Sequence, residues 1–277
     1  MADLGIQKVN PNKALWEKGD FTRIADTMRK SGEDFVDYLG IRPEMKVLDL
    51  GCGDGTTALP AAEYCADVLG VDIAANLVAA GNARAKAAGL DNIRFQQGDA
   101  SNLKGIADAS FDLVVSVFGA MFAPRPFDVA REMVRVTRPG GRIVMGNWIP
   151  GDPTLVAQIL KVSAAYTPPP PEGFISPMLW GDEEQVRARF AVHGILPENI
   201  TFERATWYFR HQGPPAELFE IFRDYYGPTM NAFEAAVKDG RSVGLEKELK
   251  ALFTAQNLGG ASTEIPATFL KVTVNKP

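Results

Sequence analysis

Cysteine and histidine are scarce in this chain of 277 residues, which contains two of each. The cysteines, Cys52 and Cys65, are too few for a disulfide framework, and their spacing matches no zinc-binding pattern. We therefore expect no metal site, and thiols that stay reduced as they do in the cytoplasm.

An excess of positive charge and long apolar runs are also absent. The chain has 29 Lys and Arg against 34 Asp and Glu, a formal net charge of −5. Nucleic-acid binding needs clustered Lys and Arg, so we expect no nucleic acid partner. No apolar stretch is long enough to span a membrane, and no signal peptide is evident at the N-terminus. These absences predict a cytoplasmic protein, and they leave its oligomeric state open.

The most informative stretch is residues 46–57, where an apolar segment containing Asp49 runs into a turn rich in glycine. Three glycines follow at alternate positions from Gly51, before an alanine-rich stretch. This order predicts a buried strand, a turn of bare backbone and a helix whose N-terminal amides face a ligand. Dinucleotide-binding folds usually place the third glycine one position later, where this chain has Thr56. A carboxylate beside the turn would repel a pyrophosphate, so the pattern favours a cationic ligand.

Two further predicted strands end near carboxylates. The apolar run 67–72 ends at Asp72, and Asp99 follows the run 93–97. Ligands in open α/β sheets lie at the carboxyl ends of strands, so these side chains and Asp49 are expected to surround one ligand. Asp72 is suited to accept hydrogen bonds from both ribose hydroxyls of an adenosine cofactor, or alternatively to cap the next helix. Asp99 alternatively belongs to a simple Gly-Asp turn.

The remaining chain predicts more strands, with helices between them. The run 111–117 is almost wholly apolar, which favours a central strand, and the segment after it is expected to form a loop at the site. Further strands are predicted at 142–148, 200–210 and 268–274. Helices are predicted within 12–40 (one or two, interrupted near Ser31-Gly32), at 74–88, at 127–136, from near Asp182, at 217–226 and at 230–253.

The stretch 46–57, the helix 127–136, the turn Arg138-Pro-Gly-Gly141 and the strand 142–148 resemble class I S-adenosylmethionine-dependent methyltransferases. The resemblance covers roughly residues 15–150 and is strongest to the branch of ubiquinone and menaquinone biosynthesis enzymes. It implies an α/β fold, a Rossmann-like, doubly wound sheet of seven mainly parallel strands. The last strand would be antiparallel, and a helical or irregular cap would complete the fold.

The resemblance also implies S-adenosylmethionine as the cofactor and S-adenosylhomocysteine as its product. The aspartate-glycine segment would hold the methionine end, Asp72 the ribose, and Asp99 with Ala100 the adenine. Cys52 lies inside the turn, where a small side chain fits, and a reactive thiol is the alternative. The expected cofactor-binding residues are Trp16, Phe21, Asp49, Gly51, Cys52, Gly53, Gly55, Asp72, Ile73, Asp99, Ala100, Val117 and Phe118.

The chain is expected to divide into an N-terminal helical lid (1–40), a cofactor-binding core (41–150), a segment of substrate cap and remaining core elements (151–265), and a closing strand (266–277). In the lid, Trp16 and Phe21 are alternatively plain core residues. The aromatic content of 174–233 predicts a small apolar or aromatic methyl acceptor, or alternatively the core of the cap.

The catalytic residue is not identifiable from the sequence, because methyl transfer needs a general base only when the acceptor must lose a proton. Weak candidates are His193, His211, Tyr225 and Tyr226, each of which is alternatively a surface or packing residue. Two other functions remain open at this point: an NAD-type oxidoreductase, and a non-catalytic protein that binds S-adenosylmethionine.

Overall fold

The computed structural model describes residue 10, residues 12–64 and residues 67–277, so Cys65 and the first nine residues lie outside it. Within this part, seven strands form one sheet in the order β3-β2-β1-β4-β5-β7-β6. Their bounds are β1 (Lys46–Leu50), β2 (Asp67–Asp72), β3 (Ile93–Gln97), β4 (Phe111–Val117), β5 (Thr137–Trp148), β6 (Ile200–His211) and β7 (Thr263–Asn275). β7 is antiparallel to both of its neighbours, and the other pairs are parallel. The predicted fold class is confirmed.

Helices cover the sheet and connect its strands. Their bounds are α1 (Asn12–Glu17), α2 (Thr22–Asp26), α3 (Arg29–Asp37), α4 (Ala58–Ala62), α5 (Ala75–Ala87), α6 (Pro126–Val136), α7 (Leu155–Ala164), α8 (Glu183–Ala191), α9 (Pro215–Tyr225), α10 (Gly227–Lys238) and α11 (Ser242–Gln256). In the described part of the chain, no helix combines the length and the apolar character needed to cross a membrane. The predicted domain boundaries stay predictions.

The centre of the sheet is β1 and β4, whose side chains are buried on both faces. Leu48 and Val114, which are register partners, are both fully buried. Continuous apolar runs are typical of parallel strands that have helices on both faces, and this explains why these two strands were visible in the sequence. The strand order reverses between β1 and β4, and such a reversal opens a crevice at the carboxyl ends of the strands.

The predicted interruption near Ser31-Gly32 is wrong. Both residues lie inside α3, and the breaks between the N-terminal helices fall at 18–21 and 27–28. A Cβ on Gly32 would lie 2.4 Å from the carbonyl oxygen of Thr56. The glycine therefore permits α3 to pack closely on the glycine turn, instead of ending the helix.

Two other boundaries differ from the sequence prediction. The helical stretch 230–253 is divided between α10 and α11, where Gly240 has a φ of +68°. The turn predicted at 138–141 lies within the span of β5, as an irregularity in its pairing with β4. There the register changes from Phe111–Thr137 to Leu113–Arg142.

Candidate active site

A cavity of about 940 Å³, part of which is open to solvent, lies at the carboxyl ends of β1, β2 and β4. We call it the switch-point cavity. Ten of the expected cofactor-binding residues line it: Trp16, Phe21, Gly51, Cys52, Gly53, Asp72, Ile73, Ala100, Val117 and Phe118. Asp49, Gly55 and Asp99 are not among the lining residues.

The glycine turn approaches the segment after β4 backbone to backbone. Gly51 has a φ of +73°, and a Cβ there would lie 2.6 to 2.8 Å from backbone atoms of Gly119 and Ala120. Gly53 has a φ of +55°, and a Cβ there would meet nothing within 4 Å. Gly51 is thus required by both conformation and space, whereas Gly53 leaves bare backbone facing the cavity.

Gly55 serves packing behind the turn. Its φ is +91°, and a Cβ would lie 2.1 Å from a methyl carbon of Leu59 and 2.8 Å from the ring of Phe95. This glycine lets α4 approach β3. The alternating glycines of the motif therefore have different physical roles.

Asp72 connects the end of β2 with the glycine turn. Its carboxylate accepts hydrogen bonds from the backbone N–H of Gly53 at 2.8 Å and of Ala74 at 2.9 Å. The N-cap of α5 is Ala74, so Asp72 is not the helix cap. Asp72 is only 8% exposed, and burial raises the pKa of its carboxyl group.

Asp49 lies beneath the turn and is 1% exposed. One carboxyl oxygen accepts a hydrogen bond from the hydroxyl of Thr57, and the other has no partner among the described residues. Burial raises its pKa to about 7, and the nearby charge of Asp72 adds to the rise. A buried carboxyl group with a free acceptor oxygen is unusual, and Asp49 lies behind the residues that line the cavity.

Asp99 builds the turn after β3. Its side chain accepts hydrogen bonds from the backbone N–H of Ser101 at 2.8 Å and from the hydroxyl of Ser101 at 2.7 Å. Asn10 donates to the other carboxyl oxygen at 3.3 Å, and Arg125 lies 3.8 Å from it. The neighbours Gly98 and Ala100, rather than the carboxylate, face the cavity.

Aromatic rings form a roof on the opposite side of the cavity. Trp16 contacts Phe122 with ring centroids 4.9 Å apart, Phe21 at 5.7 Å and Tyr226 at 6.2 Å. The first three of these residues line the cavity, whereas Tyr226 buttresses them from behind. Phe118, with a φ of +58°, stacks on Trp148 at 3.6 Å between ring centroids. Its unusual backbone conformation is held by a tightly packed ring.

A partly buried ion pair joins α3 to the glycine turn. The guanidinium of Arg29 donates hydrogen bonds to both carboxyl oxygens of Asp54 and, at 2.6 Å, to the hydroxyl of Thr56. The side chain of Asp54 is only 2% exposed. At the other end of the lid, the amide of Asn12 donates to the carbonyl of Phe122. These contacts hold the N-terminal helices over the cavity.

The weak catalytic candidates do not line the switch-point cavity. His193 interacts with the carbonyl oxygen of Phe127 at 3.0 Å, and His211 with the carboxylate of Glu217 at 3.0 Å. Tyr225 receives the guanidinium of Arg23 over its ring at 5.5 Å. Tyr226 is buried, which raises the pKa of its hydroxyl.

The sequence prediction missed many lining residues, and only some carried a signal. Asp54, Thr56 and Thr57 lie within the glycine motif, so the sequence could have identified them as lining residues. Phe122 lies in the segment that was expected to form a loop at the site, and Trp207 lies in the aromatic stretch 174–233. Met28 reaches the cavity through tertiary packing, which no local pattern encodes. The lining residues not predicted are Asn10, Asn12, Met28, Asp54, Thr56, Thr57, Val71, Leu77, Gly98, Gly119, Ala120, Phe122, Ala123 and Trp207.

Comparison with known proteins identifies the family. A family model described as a methyltransferase domain matches residues 48–145. The uncharacterized protein Rv1403c of Mycobacterium tuberculosis is 33% identical over 225 residues, 81% of this chain and 80% of that protein. The demethylmenaquinone methyltransferase of Beutenbergia cavernae is 39% identical over 113 residues, 41% of this chain and 45% of that enzyme.

A solved structure has the same fold. The crystal structure of YcgJ from Bacillus subtilis covers 90% of this chain and 99% of its own, with a TM-score of 0.58 at 21% identity. The segment matched by the family model runs from β1 to β5 and contains the glycine turn and the strand-order reversal. The chain belongs to the class I S-adenosylmethionine-dependent methyltransferases.

Proposed function

We propose that this methyltransferase acts on a small, largely apolar or aromatic molecule that binds in the switch-point cavity. The observation that carries this proposal is the contrast between the two sides of the cavity. One side presents glycine backbone and the carboxylate of Asp72, and the other presents the rings of Trp16, Phe21 and Phe122. The polar side suits a polar cofactor, and the side with the aromatic rings suits an apolar acceptor.

The cofactor side suits S-adenosylmethionine in charge as well as in shape. When bound, this cofactor supplies an electrophilic methyl group on a sulfonium. The residues that would hold it are Gly51 and Gly53 toward the methionine end, and Asp72 toward the ribose, with Asp49 beneath the turn and out of direct contact. Ile73, Gly98 and Ala100 are available for the adenine. The bare backbone at Gly53 fits this assignment.

The acceptor side offers rings and no strong base. Of the titratable groups that line the cavity, Asp54 is paired with Arg29, and Asp72 accepts two backbone hydrogen bonds. Burial raises the pKa of the Cys52 thiol well above its ordinary value, so this thiol is a poor base and a poor nucleophile. We infer that the protein works mainly by alignment and exclusion of water, and that the acceptor brings its own nucleophilic atom. The related demethylmenaquinone methyltransferase is named for a quinone acceptor, which agrees with an aromatic ligand.

Parallel calorimetric titrations of the protein with S-adenosylmethionine, S-adenosylhomocysteine and NAD test the cofactor side. Micromolar binding of the two sulfur compounds and no binding of NAD are expected. The acceptor side is tested by release of S-adenosylhomocysteine in the presence of 1,4-naphthalenediol, 1-naphthol or glycine. Turnover with a naphthalene compound and none with glycine supports the proposal. Turnover with glycine alone would contradict an apolar acceptor while leaving the cofactor assignment intact.

A further inference from the structure

A second cavity lies on one face of the sheet, away from the carboxyl ends of the strands. We call it the sheet-face groove. It encloses about 950 Å³, part of which is open to solvent, between α3 with the following Tyr38 and strands β5, β7 and β6. Val144, Phe269, Ala205 and Trp207 give its floor an apolar part, and Thr273, Lys271 and Glu203 line the groove from the same face of the sheet. Apolar surface of this kind on a sheet face is normally covered.

The strand register gives the length of the groove. Val144 pairs with Thr273, and Phe269 pairs with Ala205. From the level of Val144 to that of Trp207 is three steps of two residues along the strands, roughly 20 Å. Trp207 also lines the switch-point cavity, so the groove ends at a ring that the two cavities share. The groove is therefore long enough for an extended chain of roughly 20 Å.

Nearly all charges around the groove are already paired. Lys271 lies 2.5 Å from Glu203, and Arg210 lies 2.8 Å from Glu264. The carboxylate of Asp34 is paired with a lysine of its own helix, at 2.7 Å. These pairs cancel one another and leave the groove without preference for a charged ligand.

Arg142 is the exception. It lines one end of the groove, and no carboxylate among the described residues lies within ion-pair distance of it. Its guanidinium donates a hydrogen bond to the carbonyl of Leu39. Partial burial lowers its pKa, and the nearby charge of Arg42 lowers it further. A partly buried cation without a counter-ion is costly, and an anionic ligand would relieve that cost.

Tyr38 adds a second sign of a ligand. Its side chain lines the groove, yet the residue is 84% exposed, the largest exposed fraction among the large hydrophobic residues described. An aromatic ring at the rim of an apolar groove gains contact area when a ligand lies against it. The unpaired cation suits the anionic head group of an amphiphile, and the apolar floor and the exposed ring suit its apolar chain.

We propose that the sheet-face groove binds an anionic amphiphile, with its carboxylate on Arg142 and its apolar chain along Val144, Phe269 and Ala205. Charge complementarity selects the anion, because the other cations of the groove have partners. Guanidinium and carboxylate form paired, parallel hydrogen bonds, which fixes the orientation of the chain. The groove shares Trp207 with the switch-point cavity, and the proposal does not depend on the nature of the methyl acceptor.

The test is calorimetric titration of the full-length protein, without added cofactor, with dodecanoate kept below its aggregation concentration. Saturable binding at one site is expected. Arg142→Gln is expected to weaken binding at least tenfold. Lys271→Gln removes the same unit of charge from the same groove and is expected to weaken binding less than threefold. The uncharged 1-dodecanol should bind the wild-type protein and Arg142→Gln equally.

A second variant tests the path of the chain. Ala205→Phe places a ring on the floor of the groove and is expected to abolish binding of both dodecanoate and 1-dodecanol. Unchanged affinity for S-adenosylhomocysteine would show that the variants keep their fold. Equal weakening by Arg142→Gln and Lys271→Gln, or absence of saturable binding, would overturn the proposal. Formation of methyl dodecanoate with S-adenosylmethionine would also overturn it, because it would place dodecanoate in the switch-point cavity.

Discussion

The two sides of the switch-point cavity are built in different ways. The glycine side comes from one continuous segment, in which β1, β2, β3 and their turns follow one another between residues 46 and 100. The aromatic roof combines pieces far apart in the chain, from α1, from the segment after β4 and from β6. The first side is specified by local backbone requirements, and the second by tertiary packing. Substitutions on the two sides are therefore expected to have different consequences.

The largest effect is expected at the ion pair between α3 and the glycine turn. Arg29→Met removes the nearer cation of the buried Asp54 carboxylate and leaves Arg84 at 3.7 Å, so the free energy of unfolding should fall by about 3 kcal/mol, the low end for a broken buried pair. Urea denaturation measures this change. Arg131→Met, which breaks the exposed pair with Asp128, should cost less than about 1 kcal/mol. Equal losses in the two variants would mean that the buried pair does not anchor the lid.

The next effect concerns the cofactor side alone. Asp72→Ala removes the acceptor for the N–H groups of Gly53 and Ala74, and it removes the predicted ribose partner. The affinity for S-adenosylmethionine, measured by calorimetry, should fall about 100-fold, or roughly 2.7 kcal/mol. Asp99→Ala is the matched control, because that carboxylate bonds within its own turn, and a loss of less than about tenfold is expected. If Asp72→Ala binds as well as the wild-type protein, Asp72 has no ribose role.

The carboxyl group of Asp49 should make the free energy of unfolding depend on pH. Its pKa is raised from 3.8 to about 7 in the folded protein, so its protonated form stabilises the fold. That stability is fully present below about pH 4 and is lost as the pH rises through 7. The stability of the wild-type protein relative to Asp49→Asn should therefore fall with rising pH. Where the change is steepest, the ratio of the two folding equilibrium constants should fall about tenfold per pH unit. Parallel denaturation curves at pH 4.5, 6 and 8 measure it, and a constant difference would contradict the raised pKa.

A smaller effect is expected in the roof. Trp16→Ala removes the ring that contacts Phe21 and Phe122, while leaving the glycine turn intact. The KM for the acceptor found by screening should rise about fivefold, since one ring of several is lost. Trp16→Phe should recover most of the loss. A larger fall in cofactor affinity than in acceptor affinity would show that the ring serves the opposite side of the cavity.

The smallest effects are expected outside the cavity. His193→Ala and His211→Ala should each change kcat less than about twofold at every pH measured, because neither side chain lines the cavity. The two variants also test whether the segment 151–265 contributes a base. Loss of activity in either variant with unchanged folding would move the catalytic centre toward that histidine.

The sequence was informative where the physical cause is local. The bounds of β2 and β4 follow from apolar runs that end at a polar residue or a turn, and those of β3 follow from alternating apolar and polar residues; all three agree with the prediction. Gly32 shows the opposite case. It lies inside α3 because the carbonyl of Thr56 leaves no space for a Cβ, and that neighbour is distant in sequence. Met28 reaches the cavity for the same kind of reason, so no local pattern identifies it.

Two glycines show how the roof is tied to the C-terminal half of the chain. A Cβ on Gly19 would lie 2.6 Å from the carbonyl oxygen of Tyr225, and one on Gly227 would lie 2.8 Å from that of Leu15. The N-terminal helices and the junction of α9 and α10 therefore fit together as a matched pair of surfaces. On the proposed function, we expect that acceptor preference cannot be exchanged by grafting one segment. A chimera that takes its lid from a relative would also have to take the α9–α10 junction from the same relative.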